Sequence, residues 1–338
     1  MIEPVKNTDL EKRIFAASRY DFSALALEIF HFQYAHNAVY RKYCSATQVD
    51  PEQVISIEKI PFLPISLFKT HDIVSTEFEP EAIFESSGTT AQIPSRHLVK
   101  DLNLYRKSFT NCFEHFYGPA AQKCILALLP AYLERKNSSL VLMADALIQQ
   151  SKQPQSGFYL YDHEKLHRSI LHNELLKIPT LLIGVTYALL DFAEQFPMQL
   201  RHTIVMETGG MKGRREELTR QEVHQILQQQ LGLSLIHSEY GMTELLSQAY
   251  SKGDGIFHTA PWMKVLIRAL DDPLYMTAAD KLPDDHINGA INIIDLANLY
   301  SCSFIATDDM GKLNKNGSFE VLGRADNSDV RGCSLMVL

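Results

Sequence analysis

Two short stretches hold the residue types from which a phosphate and metal site can be made. Ser86-Ser87-Gly88-Thr89-Thr90 packs hydroxyls around a glycine, and such a loop can wrap a phosphate chain with its N–H and O–H donors. The plain alternative is an ordinary turn, because Ser, Thr and Gly are common turn residues. Arg96 follows closely, after Pro94 and Ser95, and a guanidinium there could pair with phosphate oxygens. The second stretch, Tyr240-Gly241-Met242-Thr243-Glu244, offers a flat face for a base, a hydroxyl, and a carboxylate as a hard ligand for Mg2+. Its plain alternative is a helix start with Thr243 as N-cap. Together the two stretches point to an enzyme that activates a carboxylate with ATP.

The elements that must position these residues follow an α/β pattern. Short apolar runs at Cys124 to Leu129, Thr180 to Val185, Thr203 to Met206 and Leu233 to Ile236 alternate with longer amphipathic ones, which predicts a sheet with covering helices. Thr219 and Glu222 are spaced as a capping box for a helix ending near Leu231. A strand at Leu233 to Ile236 would bring His237 to Glu244 out at a carboxyl-terminal strand edge, where α/β sheets bind ligands. Upstream, Leu10 to about Cys44 has helical periodicity with Leu25, Ile29 and Phe32 on one face, until Ile60-Pro61-Phe62-Leu63-Pro64 breaks it. Beyond Trp262 the pattern is strands and turns. The expected organisation is a helical N-terminal cap over 1–80, an α/β nucleotide- and acyl-binding core over 81–260, a small β-rich subdomain over 261–322 and a tail over 323–338.

Composition narrows the function class. With 338 residues, of which 46% are hydrophobic, the chain can bury a large core without staples, and its formal charge of −8 gives no general basic surface for nucleic acid. Neither a signal-like apolar start nor an apolar run long enough for a membrane span is visible, so a cytoplasmic enzyme is expected. The five cysteines, Cys44, Cys112, Cys124, Cys302 and Cys333, form no CxxC pair, which speaks against a disulfide framework or a structural zinc. Cys333 stands apart in the polar segment Asp329-Val330-Arg331-Gly332-Cys333-Ser334.

One motif competes. His163-Glu164-Lys165-Leu166-His167 fits the H-E-x-x-H pattern of zinc proteases, with His172 or Glu174 as a third ligand. Its surroundings, Lys165, Arg168, Ser169 and Asn173, are those of a solvated helix with Leu166, Ile170 and Leu171 as its buried stripe. A chance match in a chain with 13 histidines is the expectation.

Ser-Ser-Gly-Thr-Thr, Tyr-Gly-Met-Thr-Glu, Thr307-Asp308-Asp309 and Gly323-Arg324-Ala325-Asp326 stand in the order of the core motifs of the adenylate-forming superfamily. Within it the chain resembles the acyl-protein synthetase family of bacterial bioluminescence, the fatty-acid-activating part of a fatty acid reductase. Supporting segments are Leu129-Pro130-Ala131-Tyr132-Leu133, Thr208-Gly209-Gly210-Met211-Lys212-Gly213 and Val330-Arg331-Gly332-Cys333-Ser334. The resemblance implies an acyl-CoA-synthetase-like large N-terminal domain with a small β-rich subdomain and no C-terminal lid domain.

It also implies roles. Ser86, Ser87, Gly88, Thr89 and Thr90 would fold over the ATP phosphates, with Gly209, Gly210, Glu239 and Tyr240 around the adenine and Gly241 also in the nucleotide site. Thr243 would meet the α-phosphate and Glu244 the Mg2+, while Asp309 and Arg324 would lie at the ribose. The superfamily's glycine and proline-lysine pair after the threonines are here Ala91 and Pro94-Ser95-Arg96, a departure in which Arg96 would take the lysine's place. A carboxylic acid, fatty or aryl, would become acyl-AMP and then be transferred to a thiol. Superfamily ligases continue past the Gly-Arg-x-Asp hinge into a domain with a catalytic lysine, whereas this sequence ends at Leu338. In the acyl-protein synthetases a cysteine near the C-terminus accepts the acyl group, and Cys333 matches it, with an acyl-CoA or acyl-protein reductase, or an acyltransferase, as partner. The alternatives are an acyl- or aryl-CoA ligase and an inactive adenylating-fold scaffold.

Overall fold

The computed structural model describes residues 7–17, 21–86, 93–130, 137–209, 218–270, 272 and 274–324. The chain divides into two compact units, one from Met1–Thr76 with Pro261–Leu338 and the other from Glu77–Ala260.

The first unit starts with helices α1 (Asn7–Ala16), α2 (Phe22–His36) and α3 (Ala38–Ala46). On α2, Phe22, Leu25, Ala26, Ile29, Phe30 and Gln33 are buried, the three- and four-residue spacing of a helix with one apolar face. Asn37 separates α2 from α3 in an extended conformation and accepts the Tyr40 N–H as N-cap. What read as one helical stretch is therefore three helices, the second and third parted at the Asn37 cap. Strand β1 (Leu63–Pro64) closes this part.

The second unit carries the alternating pattern. A hairpin of β2 (Ala82–Glu85) and β3 (Arg96–Val99) precedes α4 (Leu102–Tyr117), β4 (Cys124–Leu128), α5 (Ser139–Ser151), β5 (Gly157–Phe158), α6 (His163–Leu175), β6 (Thr180–Gly184), α7 (Thr186–Gln195), β7 (Thr203–Glu207), α8 (Arg220–Leu231), β8 (His237–Tyr240), β9 (Ala249–Ser251) and β10 (Phe257–Thr259). Strands β5, β4, β6, β7 and β8 are neighbours in that order and parallel, while β9 and β10 continue antiparallel. Every residue of β4 and β6 is buried, as expected of parallel strands covered on both faces. Thr219 and Glu222 form the capping box of α8, and Gly232 ends it in a left-handed conformation.

One expected strand is displaced. The run Leu233 to Ile236 leads into the sheet, with Leu235 exposed and only Ile236 fully buried, and pairing begins at His237. Glu239 and Tyr240 are consequently the last two residues of β8 itself.

Returning to the first unit, β11 (Met263–Arg268), β12 (Met276–Ala278), β13 (His286–Asp295), β14 (Phe304–Asn314) and β15 (Phe319–Arg324) form an antiparallel sheet in the order β12-β11-β13-β14-β15. Strand β1 pairs in parallel with β14 through Leu63↔Ile305. The buried turn from β13 to β14 owes its polar satisfaction to α2: Gln33 donates to the carbonyls of Asn298 and Leu299 at 3.0 and 2.9 Å and accepts the Ser303 N–H.

Candidate active site

The hairpin of the second unit closes just where the first motif begins. The Ser86 N–H donates to the Ser95 carbonyl at 3.1 Å, and the Ser95 N–H donates to Ser86 Oγ at 2.9 Å. These reciprocal bonds form the neck of the intervening loop, whose Ser87, Gly88, Thr89 and Thr90 lie outside the described residues. Arg96 starts β3, opposite Glu85 and exposed.

The next residue connects the two motifs. His97 is buried, and its Nδ1 lies 2.8 Å from the carbonyl oxygen of Thr243. The strand that follows the first motif is thereby bonded to the backbone of the second. Thr243 is half-buried and Glu244 buried, in the turn after β8. Gly241 lies close against the Glu239 carboxyl group, which would have to shift to admit a Cβ there. Tyr240 meets Phe257 edge-on at 5.9 Å, and the Arg220 guanidinium lies over Phe257 at 5.1 Å.

A residue that motif reading passed over organises the neighbouring strand end. Glu207 closes β7 almost fully buried. Its Oε2 accepts the Gly209 N–H at 2.7 Å and the Thr186 hydroxyl at 3.3 Å, while its Oε1 faces Arg220 Nε at 3.2 Å and His224 Nε2 at 3.7 Å. Burial alone would push this carboxyl up, but the His224 bond, the Arg220 charge and bonds from Ser238 and Gly209 outweigh it and hold the group at about 2. Glu207 thus fixes the start of the connection to α8, where Gly209 has a φ of 73°, a conformation that suits glycine. Gly210 lies outside the described residues. The available signal was an acid ending an otherwise apolar strand run.

Glu239 behaves oppositely. Burial, then the nearby Glu207 charge, push its carboxyl up to about 8, so it is neutral at pH 7.

In the first unit, the strand pairing Asp309↔Arg324 brings together two residues from separate motifs. Arg324 Nε lies 3.4 Å from Asp309 Oδ1, the aspartate buried and the arginine largely exposed. The Asp309 N–H donates to Thr307 Oγ1, which in turn donates to the Ile291 carbonyl. Cys333 lies outside the described residues, and Cys44, Cys112, Cys124 and Cys302 are buried free thiols.

The histidines of the competing motif are engaged in packing on α7 and its end. His163 Nδ1 lies 3.1 Å from Gln195 Oε1, and the His167 ring stacks on Phe196 at 4.6 Å. Glu174 accepts bonds from the N–H groups of Arg201 and His202 and from the Thr203 hydroxyl. Among the described residues no group of three or more His, Cys, Asp or Glu could hold a metal ion, and no helix is long and apolar enough to cross a membrane.

The fold is that of the adenylate-forming enzymes. It is similar to ATP-bound MatB from Rhodopseudomonas palustris, at TM-score 0.51 and 17% identity over 72% of this chain and 48% of that one. It is similar also to o-succinylbenzoate coenzyme A synthetase (MenE) from Bacillus subtilis in complex with ATP and magnesium ion, at TM-score 0.53 and 16% identity over 76% of this chain and 55% of that one. The chain therefore spans about half the length of these structures.

The chain belongs to the family described as "Acyl-protein synthetase, LuxE", whose profile matches residues 15–338. A long-chain-fatty-acid–luciferin-component ligase of Photorhabdus luminescens is 41% identical over 78 residues, which are 22% of this chain and 66% of that protein.

Proposed function

We propose that this protein activates a carboxylic acid, a fatty acid by class, with ATP and Mg2+, and passes the acyl group to the thiol of Cys333. The observation that carries the reading is the bond from β3, just past the first motif, to the Thr243 backbone in a chain of the acyl-protein synthetase family.

The chemistry brings two anions together, and this requires neutralised charge and fixed alignment. Ser86 to Thr90 and Arg96 would hold the phosphates, Thr243 the α-phosphate, and Gly209, Gly210, Glu239 and Tyr240 the adenine, with Gly241 also in the nucleotide site. Asp309 and Arg324 would hold the ribose. A single buried carboxylate, Glu244, suits Mg2+, which takes one or two protein carboxylates and completes its shell with water and phosphate oxygens. The ion would supply charge neutralisation on the triphosphate. A carboxylate oxygen attacks the α-phosphorus, the bond to pyrophosphate breaks, and acyl-AMP forms. The Cys333 thiolate then attacks the acyl carbonyl, the bond to AMP breaks, and a thioester remains. A reductase or acyltransferase partner would consume it.

A panel of carboxylates in ATP–pyrophosphate exchange, with mass spectrometry of the intact protein, tests this. Fatty-acid-dependent exchange with one acyl adduct, and Cys333→Ser keeping exchange but losing the adduct, are expected. Release of acyl groups to CoA without adduct indicates a ligase, and no exchange with any acid indicates an inactive scaffold.

A further inference from the structure

The buried imidazole of His97 has no place in the roles assigned above, yet it is the group that reaches the second motif from the strand following the first. We propose that His97 is a positioning residue for the nucleotide-activation step, its Nδ1–H fixing the Thr243 carbonyl and so holding the Thr243 hydroxyl and the Glu244 carboxylate in register with β3. The inference rests on the reading of Thr243 and Glu244 as phosphate and metal groups.

The direction of the bond follows from chemistry. A carbonyl oxygen only accepts, so Nδ1 must carry the proton. The contact is 2.8 Å long and His97 is 1% exposed, a setting in which an unsatisfied carbonyl is costly and a satisfied one is well fixed. The ring cannot easily wander. His97 lies opposite Phe84 in the hairpin, and Phe84 packs edge-on against Tyr105 of α4 at 5.2 Å.

The turn that carries Thr243 needs such a tie. Residues 241–248 lie between β8 and β9 without strand pairing. Helix α4 grips the far part of this turn, through Ser108 Oγ to Ser247 Oγ at 3.0 Å and Cys112 Sγ to the Gln248 carbonyl at 3.2 Å. Both bonds act beyond Glu244. The His97 bond acts on Thr243 itself and comes from the hairpin whose neck is Ser86 and Ser95. It therefore couples the phosphate-side hairpin to the hydroxyl and carboxylate that must meet the same nucleotide.

The test compares wild type, His97→Leu and His97→Asn in ATP–pyrophosphate exchange with the acid that wild type uses fastest, varying ATP and Mg2+ separately, with thermal unfolding as control. Asparagine places an N–H donor near the position of Nδ1, and leucine places none. A misplacement of about 1 Å costs on the order of 100-fold in rate, so His97→Leu is expected to lose roughly 10- to 100-fold in kcat/KM for ATP and to need more Mg2+. His97→Asn is expected to recover most of that loss, a pattern that a packing role would not produce. Kinetics within twofold of wild type for a folded His97→Leu, or equal losses in both folded variants, overturn the proposal alone. A wild type without exchange on any acid removes the functional reading and this inference with it. If His97→Leu does not fold, His97→Asn against His97→Gln, whose donor reaches further, replaces it with the same expected ordering.

Discussion

Glu207 and Glu239 sit at the ends of adjacent parallel strands, β7 and β8, and hold opposite protonation states at neutral pH. Glu207 pairs in register with Ser238, and the Ser238 hydroxyl and Glu207 both meet His224. Side chains alternate along a strand, so Glu239 points to the other face, where its charge would bear on Tyr105, Tyr117 and Tyr250. One carboxyl is surrounded by donors, and the other lies opposite Tyr250 with none of those donors. Environment alone separates them, held low at about 2 and pushed up to about 8.

Stability should therefore respond to pH through both groups, in different windows. Glu207, low in the folded state, contributes stability that is present above its ordinary value near 4.5 and is lost as pH falls towards 2. Glu239 is raised in the folded state, so its contribution is whole below 4.5 and is lost as pH rises through about 8. Glu239→Gln removes the second effect while keeping the shape. Relative to wild type, this variant should gain about 2–4 kcal/mol between pH 5.5 and 9 in urea unfolding. Parallel stability curves for the two proteins would show that Glu239 does not titrate in this way.

The parts of this fold that sequence shows are those written in local pattern. Cys124 to Leu128 and Thr180 to Gly184 are continuous apolar runs because parallel strands are covered on both faces, and Thr219 with Glu222 announces the start of α8. Longer-range pairings leave no such trace. Nothing near Leu63 marks its pairing with Ile305, and the Thr307-Asp308-Asp309 and Gly323-Arg324 motifs show no sign that β14 and β15 set Asp309 opposite Arg324. The strand at Leu233 to Ile236 was displaced for a related reason: four apolar-rich residues suggest a strand, but pairing with β7 decides where it begins. His97 meets Thr243 from a distant segment, and Glu207 gathers Thr186, Gly209, Arg220 and His224 at unrelated separations, so no fixed spacing could single either out.

The crossing at the end of β6 is tight enough to test by adding one methyl group. A Cβ on Gly184 would lie 2.8 Å from Leu128 Cβ and 3.0 Å from Leu189 Cγ, and Leu128 Cβ is held by the backbone of the paired strand β4. The Gly184 carbonyl also accepts the Thr208 N–H at 3.0 Å, so a shift here is passed to the segment before Gly209. Gly184→Ala should cost about 1–3 kcal/mol, the usual range for overpacking a dense core, and should weaken ATP binding measured by calorimetry. An unchanged unfolding midpoint would mean that β4 and α7 yield more easily than a packed interior does.

Asp309 offers a separation of binding from folding. Its partner Arg324 is 73% exposed, and an ion pair with so exposed a member contributes roughly 0–1 kcal/mol, so Arg324→Ala should barely move the unfolding midpoint. If the Asp309 carboxylate accepts the ribose hydroxyls, its effect must appear as discrimination between nucleotides that have or lack them. A hydrogen bond to a charged group is worth about 1.5–3 kcal/mol, which corresponds to roughly 10- to 150-fold in affinity. Wild type should therefore bind ATP more tightly than 2′-deoxy- or 3′-deoxy-ATP by about that factor, and Asp309→Asn should lose most of the preference by weakening ATP far more than the deoxy nucleotides. Arg324→Ala should weaken all three by a similar, smaller factor, because a cation beside the ribose acts on charge rather than on a particular hydroxyl. Equal weakening of ATP and both deoxy nucleotides by Asp309→Asn would place that carboxylate away from the ribose and leave it a structural acceptor within the β14–β15 pair.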